Sequence, residues 1–152
     1  MKKLLIILVG LVFVAVALSG AYAQFAKPEY AIKYRKSVMF LIAQHFGRMG
    51  AMVKEKIPYN QEVFARNAML VETLSRLPWE AAMVPGTDTG DTTLNSAVFM
   101  QPAKFKEVSQ NFETQTTKLV SAAQSGDLIG IKSQFGEVGK SCKACHSQFR
   151  TK

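Results

Sequence analysis

The residues best equipped for chemistry in this chain are Cys142, Cys145 and His146, in the run Cys142-Lys143-Ala144-Cys145-His146. C-x-x-C-H is the attachment sequence for a c-type haem. On a helix, residues three apart face the same way, so both thiols can add to the two vinyl groups of one porphyrin. His146, next to Cys145, then reaches the iron as its axial ligand. The chain has only these two cysteines, which implies one covalently attached haem c per chain and leaves no disulfide framework. A thioredoxin-like C-x-x-C would sit near a βαβ pattern, and no strand period occurs. A structural zinc site needs about four ligands, and two Cys and two His are all the chain holds.

The second axial face must come from another helix, because no Met follows His146. In the first helical stripe Arg35 interrupts an apolar series and Met39 lies one turn further on the same side. An inward arginine calls for an anion, and a haem propionate suits its planar fork. His45 falls on the flank of that stripe and reads as a structural histidine. Trp79 reads as a bundle-end plug whose N–H finds a local acceptor.

Four helical segments carry these residues. After Pro28, Ile32, Arg35, Met39, Ile42, Phe46, Met49 and Val53 recur in steps of three and four, and Pro58 stops the helix. Asn60 can cap a second helix with Val63, Asn67, Leu70, Leu74 and Leu77 on one face. Pro, Gly, Thr and Asp are abundant from Pro78 to Asn95, which reads as a crossover loop. Gln101-Pro102 opens a third helix with Phe105, Val108, Phe112, Gln115, Leu119 and Ala122 or Ala123 inward, ended at Ser125-Gly126. Asp127 caps the fourth, with Leu128, Ile131, Phe135, Val138, Cys142, Cys145 and Phe149 facing inward. The expected fold is all-α, an antiparallel four-helix bundle with one longer crossover loop, whose core is a usual place for a cofactor. Gly130, Gly136 and Gly139 each cost roughly 1 kcal/mol relative to Ala inside a helix, which points to close approach of a flat ring.

The chain has 152 residues, 48% hydrophobic and 20% charged, enough for one core. Met1-Lys2-Lys3, the apolar run Leu4 to Leu18 and Ala21-Tyr22-Ala23 form the three regions of a secretory signal peptide. The apolar run is too short for a membrane span of about 20 residues. Residues 1–23 are therefore expected to be removed, leaving a haem domain of residues 24–152 in the periplasm with no membrane association. Lys plus Arg number 19 against 11 Asp plus Glu. The surplus suits an acidic redox partner, and with no basic block or aromatic interleaving it argues against nucleic acid.

On Lys33-Tyr34-Arg35, His45-Phe46-Gly47-Arg48-Met49, Leu77-Pro78-Trp79, Pro85-Gly86-Thr87, Gly126-Asp127-Leu128 and Val138-Gly139-Lys140-Ser141 leading into the haem motif, the chain resembles a cytochrome c′, a class II c-type cytochrome. The resemblance covers essentially all of residues 24–152. It implies a haem held by Cys142, Cys145 and His146, five-coordinate and high-spin, with Met39 closing the distal face. It further places Arg35 near the propionates, Asp91 at the haem edge and Arg150 beside the proximal face. Lys36 stands at a haem-edge position where the family often has Gln or Glu.

The function that the resemblance implies is binding of nitric oxide and carbon monoxide, with electron exchange, by a protein that is commonly a homodimer and is not an enzyme. The alternative is a low-spin class II electron-transfer cytochrome with Met39 as sixth ligand. A peroxidase-like activity lacks a distal His or acid beside Met39.

Overall fold

The computed structural model describes residues 25–151, so the signal peptide expected over residues 1–23 lies outside them. Six helices follow one another: α1 Pro28–Val53, α2 Gln61–Ser75, α3 Pro78–Ala82, α4 Ala97–Met100, α5 Pro102–Ser125 and α6 Leu128–Phe149. The long ones, α1, α2, α5 and α6, form the four-helix bundle expected from the periodicity.

Local chemistry sets the helix ends. Pro28 and Pro102 occupy the first turns of α1 and α5, where a missing N–H costs nothing. Asn60 accepts a hydrogen bond from the Val63 N–H at the start of α2, and Asp127 accepts from the Ile129 and Gly130 N–H groups at the start of α6. Gly126, with φ of 75°, ends α5 in the left-handed region. The first helix stops at Val53, before Pro58, and Glu55 turns the chain at a φ of 57°.

Three packing pairs follow chain order, α1 on α2, α2 on α5 and α5 on α6. Short links make α1–α2 and α5–α6 antiparallel neighbours. The fourth edge is different. Where α1 meets α6, Phe46 and Phe135 stack with centroids 4.1 Å apart, and a Cβ on Gly50 would come within 3.2 Å of the Phe135 ring. Beyond that clasp the two helices line opposite walls of a cavity.

Two expectations are corrected here. The crossover expected from Pro78 to Asn95 is not an unbroken loop, because α3 is a turn of helix at its start, and α4 follows just after Asn95. The inward stripe of α2 is Phe64, Asn67, Ala68, Val71 and Ser75. Leu70 and Leu77, expected inside, are 41% and 37% exposed. A periodic series displaced by one residue satisfies the same spacing, and only the packing of α2 between α1 and α5 selects between them. Among the described residues no strand forms beyond an isolated antiparallel bridge between Leu94 and Arg150, and no helix is long and apolar enough to cross a membrane.

Candidate haem site

The cavity between α1 and α6 has a volume of about 690 Å³. The eight site residues named from the sequence, Arg35, Lys36, Met39, Asp91, Cys142, Cys145, His146 and Arg150, all line it. They come from two helices and the crossover. The spacing on α1 turns Arg35, Lys36 and Met39 toward α6, and the spacing on α6 turns both cysteines back toward them.

On the α6 side, Cys142 is half-buried against the main core and Cys145 against a second cluster that contains Leu94, Phe105 and Phe149. Burial pushes the Cys142 thiol up to about 11, and burial with the neighbouring Cys142 pushes Cys145 up to about 11 against the pull of Arg150. Both thiols are therefore protonated at neutral pH. His146 sits at the exposed rim of the same wall. Burial of its inner edge, and secondly Arg150, hold its pKa below the ordinary imidazole value. Arg150 Nη1 lies 3.4 Å from His146 Nδ1, while Arg150 Nε donates to Thr93 Oγ1 at 3.2 Å.

On the α1 side, Arg35 is only 7% exposed. Its guanidinium donates to the Ala81 carbonyl at 3.2 Å, the Thr87 carbonyl at 3.1 Å and Thr92 Oγ1 at 2.7 Å. Within the protein, two carbonyls and a hydroxyl of the crossover already meet this inward arginine. Sequence could not show this, because the acceptors are main-chain oxygens and threonines that carry no charge pattern. Lys36 Nζ donates to Asp91 Oδ2 at 2.6 Å and to the Asp91 carbonyl at 3.2 Å, across the cavity mouth. Below these polar residues the α1 wall is apolar, made by Met39, Phe40, Ile42, Ala43 and Phe46.

His45 Nδ1 is 2.8 Å from Asn67 Oδ1, a contact between α1 and α2 away from the cavity. Trp79 is part of the cavity wall, packed edge-on against Phe105 and Phe112, and its buried Nε1 has no hydrogen-bond partner among the described residues. The expected local acceptor for that N–H is therefore not found among the described residues. Of the three helical glycines, Gly139 lines the cavity and has open space where a Cβ would stand. Gly130 has another reason: a Cβ there would come within 2.8 Å of the capping Asp127 Oδ2. Nothing in the structure explains Gly136.

These features fit a haem. The two sulfurs and the imidazole share one wall, the facing wall is apolar, Gly139 leaves room at the wall surface, and the aromatic Trp79 closes one side. A helical bundle with C-x-x-C-H opening into its core defines a class of c-type haem protein.

The family model described as Cytochrome C′ matches residues 30–150. The cytochrome c′ of Alcaligenes xylosoxydans xylosoxydans is 46% identical over 129 residues, which span 85% of this chain and 99% of that protein. The structure of cytochrome c prime from Shewanella frigidimarina superposes with a TM-score of 0.82 at 38% identity, over 85% of this chain and 100% of that one. Nitric oxide and carbon monoxide complexes of variants of the Alcaligenes xylosoxidans protein superpose with TM-scores of 0.79 and 0.78, both at 45% identity, over 85% of this chain and 99% and 100% of theirs. The chain belongs to the cytochrome c′ family, and it carries one covalently attached haem c.

Proposed function

We propose that Cys142 and Cys145 hold the haem through thioether bonds, that His146 is its axial iron ligand, and that Met39 covers the opposite face without coordinating. The observation that carries this reading is the single cavity that the C-x-x-C-H wall and the Met39 wall enclose. The protein is a non-enzymatic haem protein of the cytochrome c′ family, with five-coordinate high-spin iron that binds nitric oxide and carbon monoxide and exchanges electrons. Solved complexes of relatives with these two gases support the same ligands here.

When bound, the haem supplies an iron centre open to diatomic ligands and to one-electron change. The chain's own residues decide which ligands are favoured. Met39, Ala43 and Phe46 offer no hydrogen-bond donor, so polar bound dioxygen gains nothing from them. Carbon monoxide and nitric oxide depend less on a donor. Arg35 and Lys36 bring positive charge to the rim where the propionates would lie, with Asp91 held beside Lys36 at the haem edge and Arg150 beside His146. The ferrous optical spectrum before and after carbon monoxide tests the assignment. The expected outcome is a high-spin spectrum that converts slowly to a carbonyl form; a low-spin six-coordinate ferrous spectrum would make Met39 a ligand and the protein an electron carrier.

Family membership supports a periplasmic location. Removal of residues 1–23 as a signal peptide completes that reading, and the mass of the protein isolated from the periplasm tests it. A homodimer and an acidic redox partner belong to it too. Exposed Phe40 and Leu41 on α1 and Met69 and Leu70 on α2 offer apolar surface to a second copy, and sedimentation measures it. The partner would meet the lysine surplus, which salt titration of electron transfer would reveal.

A further inference from the structure

The crossover segment from Asp91 to Asn95 touches both walls of the cavity. On one side Lys36 holds Asp91 and Arg35 holds Thr92. On the other, the Leu94–Arg150 bridge is flanked by hydrogen bonds from the Thr151 N–H to the Thr93 carbonyl at 2.8 Å and from the Asn95 N–H to the Phe149 carbonyl at 3.0 Å. Buried Leu94 and Phe149 anchor this pairing in one apolar cluster. The backbone of Thr93 is thereby fixed to the C-terminal end of α6, and its hydroxyl accepts from Arg150 Nε.

We infer that Thr93 is a positioning residue for the axial histidine: its hydroxyl fixes the Arg150 guanidinium against His146 Nδ1. This rests on the reading of His146 as the iron ligand. Arg150 is exposed, and an exposed guanidinium near an imidazole would not hold one place unaided. Thr93 fixes it at Nε, which turns Nη1 toward His146. A ligating histidine ordinarily donates its second N–H to an acceptor, which strengthens it as a donor to the metal. Here the neighbouring group is a donor and a cation. It withholds that support, and the imidazole is left a weaker ligand. Thr93, through Arg150, therefore tunes the iron–histidine bond without touching the haem.

The test is the iron–histidine stretching frequency of the ferrous holoprotein by resonance Raman, in Thr93→Val, Thr93→Ser, Arg150→Leu and the Thr93→Val/Arg150→Leu pair. Thr93→Val keeps the shape and removes the acceptor. The expected result is an upward shift in Thr93→Val in the same direction as in Arg150→Leu, no further shift in the double variant, and recovery in Thr93→Ser. Thermal unfolding is recorded alongside, since a structural loss alone would lower stability without moving the frequency. An unchanged frequency in Thr93→Val while Arg150→Leu shifts, or shifts that add in the double variant, overturns the inference and leaves the haem reading intact. Wild-type protein lacking an iron–histidine band would instead overturn the ligand assignment itself.

Discussion

Met39 and Arg35 share one face of α1, one turn apart, yet the two substitutions should read out differently. Met39 occupies the apolar wall facing the cysteines. If it packs over the iron, Met39→Ala removes the obstacle to carbon monoxide. Stopped-flow mixing should show binding accelerated roughly tenfold or more, corresponding to at least ~1.4 kcal/mol of relieved barrier. Arg35→Leu leaves the buried Ala81 and Thr87 carbonyls without their donor. It should lower unfolding stability by about 2–4 kcal/mol in urea titration, with carbon monoxide binding much less affected. An unchanged midpoint would mean that those carbonyls find water. The C-x-x-C-H triplet was readable from the sequence because its spacing is set by the porphyrin. The threonines were not, since Thr87, Thr92 and Thr93 act through hydroxyls and main-chain atoms whose partners lie some fifty residues away in sequence.

The elements succeed or fail at their ends. Asp127 makes two capping bonds at the start of α6, so Asp127→Ala should cost about 1–2 kcal/mol. Gly130→Ala, which elsewhere in a helix would gain about 1 kcal/mol, should gain nothing because the new methyl crowds the same cap. Chemical denaturation of the two variants checks both. At this same end of α6, where α1 finishes, Lys132 holds the Glu55 carboxyl below its ordinary range by hydrogen bond and charge. A depressed carboxylate stabilises the fold above its unfolded pKa, and that contribution disappears as pH falls through the folded value. Glu55→Gln should therefore flatten the acid side of the stability profile, by a small amount for so exposed a pair. The existence and order of the four long helices followed from periodicity and caps. The face of α2 did not, because two interleaved stripes, Val63-Leu70-Leu74-Leu77 and Phe64-Ala68-Val71-Ser75, fit the helical period and only neighbours choose between them.

For the molecule as a whole, the haem belongs to the core. The α1–α6 edge is closed directly at Phe46, Gly50 and Phe135, while the wider part is lined by apolar side chains that a flat hydrophobic group would cover. Protein purified with haem should retain it through acid–acetone extraction, because the links are covalent. A Cys142→Ala/Cys145→Ala variant freed of haem should keep helical far-ultraviolet dichroism, lose near-ultraviolet signal and bind a hydrophobic dye. If it instead retained sharp tertiary signals and stability, the walls would close on themselves and the haem would be only a passenger.

The half-burial of the two thiols bears on manufacture as much as on use. Thioether formation adds each S–H across a vinyl double bond, with sulfur bonding to one carbon and hydrogen to the other. In the folded bundle the sulfurs look into the interior, and the facing wall is another helix of the same chain. No protein-sized catalyst can enter there. Haem attachment must therefore precede closure of α1 onto α6, so that the chain is assembled around a group already tethered to it.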